Sequence, residues 1–124
     1  MHELSVAHSL VNASLQVLAD QDESSALAVQ EVHLRLGVLS GVVRSSLEFA
    51  YDLAVDGTAL AGSSLVVHEV PVSVYCPRCA VVVELPGTTS FVCPGCGVPT
   101  GDLRGGREVE LVRLVLLDVV EEVA

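Results

Sequence analysis

The sequence predicts an α+β fold in which two helices accompany a small mixed sheet and a β-rich, zinc-ribbon-like lobe is inserted between two strands. Three observations support this prediction. Apolar residues recur at helical spacing near the start of the chain, one segment alternates apolar and polar residues, and all four cysteines lie between two strand-like stretches. A chain of 124 residues can form one compact domain with an appendage, but not two full-sized hydrophobic cores.

The first helix is predicted to run from about Glu3 to Ala19. We expect its core-facing stripe to consist of the apolar residues that recur at helical spacing, which are Leu4, Ala7, Val11, Leu15 and Leu18. The polar stretch that begins at Asp20 breaks this pattern.

A strand and a second helix are predicted to follow. The residues from Glu31 to Leu36 alternate with period two, which places Val32, Leu34 and Leu36 on the inward face. Ser45 and Glu48 then have the spacing of a capping box, which predicts a helix that starts there and stops at Asp56-Gly57.

Two more stretches are strand-like. Residues 65–75 are rich in β-branched side chains, and residues 111–120 are so continuously apolar that we expect them in the middle of a sheet. The intervening segment holds four of the five prolines. We therefore predict that residues 1–74 and 104–124 form an α/β domain and that residues 75–103 form a separate small domain.

Composition excludes several classes of function. The formal charge is −10, and six arginines are the only basic residues besides histidine, because the chain has no lysine. Such a surface has little to neutralise a phosphate backbone, so we expect no nucleic-acid partner. Every apolar run is too short for a membrane span, and the start at Met1-His2 has no leader pattern. We expect no membrane association and a cytoplasmic location.

The four cysteines are the strongest chemical signal. Cys76 and Cys79 form one CxxC pair, and Cys93 and Cys96 form a second pair after thirteen intervening residues. Two such pairs make a tetrahedral four-thiolate cage, which most often holds structural Zn(II). A rubredoxin-like iron site has the same spacing and stays open as an alternative. Two disulfides or a thioredoxin-type redox pair are disfavoured by a reducing compartment and by the doubling of the motif.

The amino terminus offers a second set of metal ligands. A free terminal amine, the His2 amide nitrogen and the His2 imidazole form fused chelate rings, and the amide nitrogen of Glu3 completes a square plane. Planar nitrogen donors favour Ni(II) or Cu(II). Taken alone, this pattern is weak evidence for a site, and a solvated terminal histidine explains it better.

The chain resembles the HypA/HybF family of hydrogenase maturation nickel chaperones along nearly its whole length. The resemblance is carried by residues 1–5, 36–40 and 46–53 and by the paired CxxC motifs, in matching order and spacing. It implies a nickel-binding α/β domain that carries a zinc domain. Carried over by position, it implies a nickel ligand at His2 with main-chain nitrogens of Met1, His2 and Glu3. It also implies zinc ligands at Cys76, Cys79, Cys93 and Cys96.

The resemblance also implies partners. Members of this family work with a nickel-handling GTPase and supply nickel to the large subunit of a [NiFe] hydrogenase, and some also serve urease. A homodimer stays open. The absence of lysine and the acidic, apolar tail from Asp118 to Ala124 are departures that bear on the partner surfaces.

The remaining residues favour no further site. His33 falls on the polar side of its strand and is expected to be solvated, while His8 and His68 are expected on a helix surface and a sheet face. No nucleophile, base and oxyanion arrangement is visible, so we do not expect an enzyme. Two hypotheses compete with a nickel chaperone: a zinc-ribbon scaffold for protein interactions in which His2 is incidental, and an iron-bearing electron carrier.

Overall fold

A computed structural model describes residues 3–20 and 27–118. Their helices and strands follow the predicted α+β order, in which both helices precede most of the strands. The elements are α1 (Glu3–Ala19), β1 (Leu27–Gly37), α2 (Arg44–Ala54), β2 (Ser64–Val70), β3 (Ser73–Cys76), β4 (Val81–Glu84), β5 (Leu103–Gly105) and β6 (Val109–Asp118). The predicted fold class is confirmed.

Helix α1 has the predicted bounds, but it buries a different stripe of side chains. Ala7 and Val11 are buried as expected, whereas Leu4 is 47% exposed. The buried positions also include Val6, Leu10 and Ser14. The prediction of Leu4 as a core residue was wrong because this helix carries apolar residues on more than one face, and packing against α2 selects the face that is buried.

Helix α2 packs its buried face against α1. This face consists of Leu47, Ala50, Tyr51 and Ala54. The Tyr51 hydroxyl lies 2.6 Å from the Ser63 hydroxyl, which donates in turn to the Leu60 carbonyl at 2.5 Å. The predicted capping box was wrong, because the helix begins at Arg44 and its N-cap residue is Val43, which has no side-chain cap.

The larger sheet has three strands in the order β2-β1-β6. Strand β1 is central, and Val32, Leu34 and Leu36 are buried as predicted. Strand β6 lies at an edge of this sheet, so its predicted place in the middle was wrong. Its residues 109–116 are half-buried or exposed. A continuous apolar run therefore does not by itself identify a central strand, because an edge strand that packs on only part of its surface has the same composition.

The smaller sheet has the order β4-β3-β5, and both neighbours of β3 for which a register is described are antiparallel to it. The predicted single strand over residues 65–75 is divided into β2 and β3 at Pro71, which has no N–H group to donate within a sheet. Val72, Val74 and Leu85 form the core of this region.

Glycines allow the backbone after β1 to pass close to the segment between β5 and β6. The Gly37 N–H donates to the Glu108 carbonyl at 2.7 Å, and the Leu39 N–H donates to the Gly106 carbonyl at 2.6 Å. A Cβ on Gly37 would lie 2.1 Å from the Gly106 carbonyl oxygen. This approach therefore requires glycine at position 37.

The chain divides into two compact units. The first contains Met1–Leu34, Val42–Val67 and Leu111–Ala124, and the second contains Arg35–Gly41 and His68–Glu110. The second unit is larger than the small domain predicted over residues 75–103, and those domain boundaries stay a prediction. Among the described residues, no helix has the length and apolar character required to cross a membrane.

Candidate metal centre

Each cysteine pair lies in a tight turn that closes a short hairpin. In the first turn, the Ala80 N–H donates to the Cys76 carbonyl at 2.7 Å, and the Cys79 N–H points at the Cys76 sulfur at 3.3 Å. In the second turn, the Gly97 N–H donates to the Cys93 carbonyl, also at 2.7 Å. The residue after each pair has a left-handed backbone, with φ of 57° at Ala80 and 77° at Gly97. The two turns are therefore repeats of one local structure.

The two turns bring four sulfur atoms together in the second unit. All four lie within 4.8 Å of one another. The Cys76 and Cys96 sulfurs are 3.5 Å apart, and the Cys79 and Cys93 sulfurs are 3.9 Å apart. A Zn–S bond of about 2.3 Å gives a sulfur–sulfur edge of about 3.8 Å in a regular tetrahedron. The spacing of these thiols therefore fits a tetrahedral four-thiolate ion.

Burial differs among the four cysteines. Cys76 and Cys93 are buried, Cys96 is half-buried and Cys79 is exposed. The buried first cysteine of each pair is held by a hairpin: Cys76 pairs with Val81 across β3 and β4, and the Cys93 N–H donates to the Val98 carbonyl at 2.9 Å. The cluster thus has a rigid inner side and one ligand near solvent.

Hydrogen bonding shifts the pKa values of two of the thiols in opposite directions. Main-chain N–H groups of Cys96 and Gly95 stabilise the Cys93 thiolate and lower the pKa of Cys93 to about 7. Hydrogen bonds with the other thiols, Cys96 first, raise the pKa of Cys79 to about 12. The sulfurs therefore share protons in the thiol form, and a bound cation must displace those protons before all four can act as thiolates.

The segment after the second turn is hydrogen-bonded to β3, a contact that was not predicted from the sequence. The buried Thr100 hydroxyl donates to the Tyr75 carbonyl at 2.7 Å. Arg104 makes two hydrogen bonds of 2.9 Å to the Asp102 carboxylate, and its guanidinium lies 4.9 Å from the centre of the Tyr75 ring. These contacts fix the two turns relative to each other. A Thr-x-Asp turn was the available sequence signal.

The predicted nickel ligands belong to the first three residues, far in sequence from the four cysteines. Met1 and His2 lie outside the described residues. Glu3 is the first residue of α1, and its carboxylate oxygen Oε2 accepts a hydrogen bond of 3.1 Å from the Val43 N–H. Sequence reasoning missed Val43 as a contact of this segment, because a main-chain donor forty residues away leaves no side-chain signal.

The other histidines lie apart from the cysteine cluster in sequence. His8 is exposed on α1, as expected, and His68 lies on β2, where it is also exposed. The prediction of a solvated His33 was wrong: its side chain is buried, and its Nε2 atom lies 2.9 Å from the Glu31 carboxylate. A histidine on the central strand of a three-stranded sheet is covered more easily than period-two patterning suggests.

Over residues 3–20 and 27–118, the fold and the cysteine cluster define a small α+β protein with two helices, two three-stranded sheets and a four-cysteine metal centre. A family model described as "Hydrogenase/urease nickel incorporation, metallochaperone, hypA" matches residues 1–116. The chain belongs to this HypA family.

The curated relatives agree with this assignment. The chain is 46% identical over 114 residues to the hydrogenase maturation factor HypA of Chloroflexus aggregans, which covers 92% of this chain and 97% of the relative. It is also 46% identical over 122 residues to HypA of Roseiflexus sp. (strain RS-1), and this alignment covers 98% of this chain and 97% of the relative.

Two solution structures share the fold. One is a HypA protein with a TM-score of 0.68 and 22% identity, over 95% of this chain and 98% of that one. The other is the Ni metallochaperone HypA from Helicobacter pylori, with a TM-score of 0.57 and 19% identity. The match covers 94% of this chain and 98% of that one. At these identities the likeness shows the fold alone, and the family assignment rests on the sequence comparisons.

Proposed function

We propose that this protein is a cytoplasmic nickel metallochaperone that binds Ni(II) at its amino terminus and delivers it for [NiFe] hydrogenase maturation, and that a Zn(II) ion held by four cysteines stabilises its second unit. Membership of the HypA family over residues 1–116 is the observation that carries this proposal. The partners that we propose are a nickel-handling GTPase and the hydrogenase large subunit, with urease as a further possible client.

The zinc part of the proposal is supported by the geometry of the cysteine cluster. Sulfur–sulfur distances of 3.5 and 3.9 Å bracket the edge of a zinc–thiolate tetrahedron. Four thiolates close the coordination sphere, so this ion has a structural role and leaves no position for exchange. Cys76, Cys79, Cys93 and Cys96 would each supply one sulfur ligand.

The nickel part is supported by the chemistry of the first three residues. The terminal amine, the His2 imidazole and the main-chain nitrogens of His2 and Glu3 supply the planar nitrogen donors that Ni(II) favours. Glu3 begins α1, and the first N–H groups of a helix have no partner within that helix. The Glu3 amide can therefore release its proton to solvent as its nitrogen binds nickel, without breaking a hydrogen bond of the helix ladder.

Transfer would proceed by ligand exchange. The Glu3 side chain accepts a hydrogen bond from Val43, so it holds the start of α1 against the start of α2, while the Glu3 main-chain nitrogen and the residues before it carry the ligands. Incoming ligands of an acceptor replace the main-chain and imidazole nitrogens one at a time. Each displaced nitrogen regains a proton, which makes release more favourable as the pH falls through the imidazole range.

Ni(II) titration by calorimetry tests this proposal on three proteins: the native amino terminus, the variant His2→Ala and a version extended by two residues before Met1. Zinc content is measured in all three. We expect both altered proteins to lose nickel binding and to keep one zinc ion each. Equal nickel binding in all three would overturn the terminal site, and a red, iron-containing protein would overturn the assignment of zinc.

A further inference from the structure

The outer face of α2 carries two large apolar side chains that no described residue covers. Phe49 is 68% exposed and Leu53 is 58% exposed, although the whole chain contains only four aromatic residues. Because the two residues are four positions apart on a helix, they lie side by side on one face. We call Phe49 and Leu53 the α2 apolar pair.

The α2 apolar pair is distinct from the face by which α2 is anchored. The anchored face consists of Leu47, Ala50, Tyr51 and Ala54, all buried. At 3.6 residues per turn, the centre of that face lies well over a quarter turn from the pair. The pair is therefore not a partly exposed margin of the buried face. Two adjacent large apolar side chains that are open to solvent and bordered by polar residues are typical of a surface that binds a partner.

Charge around the α2 apolar pair indicates what covers it. Asp52 and Asp56 are exposed and each follows a member of the pair by three positions. The nearest arginine in sequence, Arg44, lies 3.7 Å from the Glu48 carboxylate, which engages it on α2 itself. Within the described part of the chain, no ion pair involves Asp52 or Asp56. An apolar patch bordered by unneutralised carboxylates complements a basic, apolar segment.

We propose that the outer face of α2 docks an amphipathic segment of the nickel-handling GTPase, one that presents a large apolar side chain flanked by lysine or arginine. This step rests on the proposed function, because the GTPase is the partner proposed there. Phe49 supplies the anchor, since an aromatic side chain offers large area at small cost in conformational entropy. Asp52 and Asp56 orient the segment and accelerate its association.

Titration of the purified GTPase against the zinc-loaded, full-length protein tests the docking site. The variants are Phe49→Ser, Leu53→Ser and the double variant Asp52→Asn with Asp56→Asn. The matched control is the double variant Val81→Ser with Val82→Ser, whose two valines on β4 are 50% and 52% exposed. All six substituted positions are exposed, so circular dichroism and zinc content should match those of the wild type.

We expect Phe49→Ser to weaken binding about tenfold or more and the charge variant to weaken it less while flattening its dependence on salt. The valine control should bind as the wild type does. Wild-type affinity in both Phe49→Ser and Leu53→Ser would overturn the docking site, as would the absence of any binding by the wild type.

Nickel titration of Phe49→Ser separates this result from the proposed function. Unchanged nickel binding together with weakened GTPase binding supports the docking site and leaves the terminal nickel site intact. Loss of nickel binding in Phe49→Ser would overturn the docking site as a separate surface, because the substitution would then act on the nickel-binding unit itself.

Discussion

The Glu3 carboxylate accepts a hydrogen bond from the Val43 N–H and thereby joins the first residue of α1 to the residue that caps α2. Val43 has no side-chain oxygen with which to cap the helix. In a capping box, a glutamate three positions into the same helix accepts this N–H. Here a glutamate from another helix does so, and its negative charge lies at the positive end of the α2 dipole.

Loss of this contact should destabilise the first unit. We expect Glu3→Ala to lower the free energy of unfolding by about 1 kcal/mol, the usual cost of losing a helix cap at a solvent-exposed site. Glu3→Gln keeps an oxygen acceptor and should cost less. Urea denaturation followed by circular dichroism measures both.

Glu48→Ala is the matched control for Glu3, because it removes only the exposed Arg44–Glu48 pair, whose N–O distance is 3.7 Å. Such a pair contributes less than about 0.5 kcal/mol. Equal destabilisation by Glu3→Ala and Glu48→Ala would contradict a special role for the Val43 contact.

The second cysteine turn should depend on Gly97. Its φ of 77° lies in the left-handed region, where a Cβ costs about 1 kcal/mol. We expect Gly97→Ala to lower the concentration of chelator needed to remove the metal and to reduce stability by that amount. Chelator titration with a colorimetric zinc indicator measures the first effect.

Gly95→Ala provides the comparison within the same turn. A Cβ at Gly95 would lie 3.7 Å from the Cys93 sulfur, which is an ordinary contact. Its effect should be smaller than that of Gly97→Ala. The opposite order would show that crowding near the sulfur, not backbone conformation, limits this turn.

Gly37→Ala should be the most damaging of the small substitutions. Its Cβ would lie 2.1 Å from the Gly106 oxygen and 2.6 Å from the Arg107 nitrogen, and both are backbone atoms that cannot rotate away. We expect a loss of about 3 kcal/mol or more, at the upper end for overpacking. Gly41 has a φ of 80°, and a Cβ added there would meet no atom within 4 Å. Gly41→Ala should therefore lower the free energy of unfolding by only about 1 kcal/mol. Thermal unfolding compares the two, and similar midpoints would refute the close approach.

Glu108 should make stability depend on acid pH. Its own N–H and that of Gly106 hold the pKa of Glu108 below its ordinary value of 4.5. Because the folded pKa is lower than the unfolded pKa, the carboxylate stabilises the fold above the unfolded value, and this contribution is lost as the pH falls through the folded value. We expect Glu108→Gln to be less stable than the wild type at neutral pH, with the difference shrinking below about pH 4.

Denaturant unfolding of both proteins across this pH range measures that difference. Acid also removes thiolate-bound metal, but it does so in the wild type and in Glu108→Gln alike, so the difference between them reports on the carboxylate. A gap that stays constant from neutral to acid pH would show that the Gly106 contact does not depend on the charge of Glu108.

Local patterns predicted the parts of this protein that depend on near neighbours in the chain. The bounds of α1 and the inward residues of β1 follow from helical and strand periodicity, which is a property of consecutive residues. The grouping of Cys76, Cys79, Cys93 and Cys96 followed from spacing, because a CxxC turn presents two sulfurs on one side. The exposure of the α2 apolar pair could not be predicted in this way, since the exposure of a side chain depends on which other elements pack near it.

The sequence by itself determined the class of fold, the family and the four cysteines that come together, because each depends on residue types at short, fixed spacing. Only the tertiary structure decided that β6 is an edge strand, that His33 is buried and that Glu3 caps α2. Those outcomes depend on contacts between segments far apart in the chain. Periodicity describes which residues share a face, but packing between distant elements determines which face is covered.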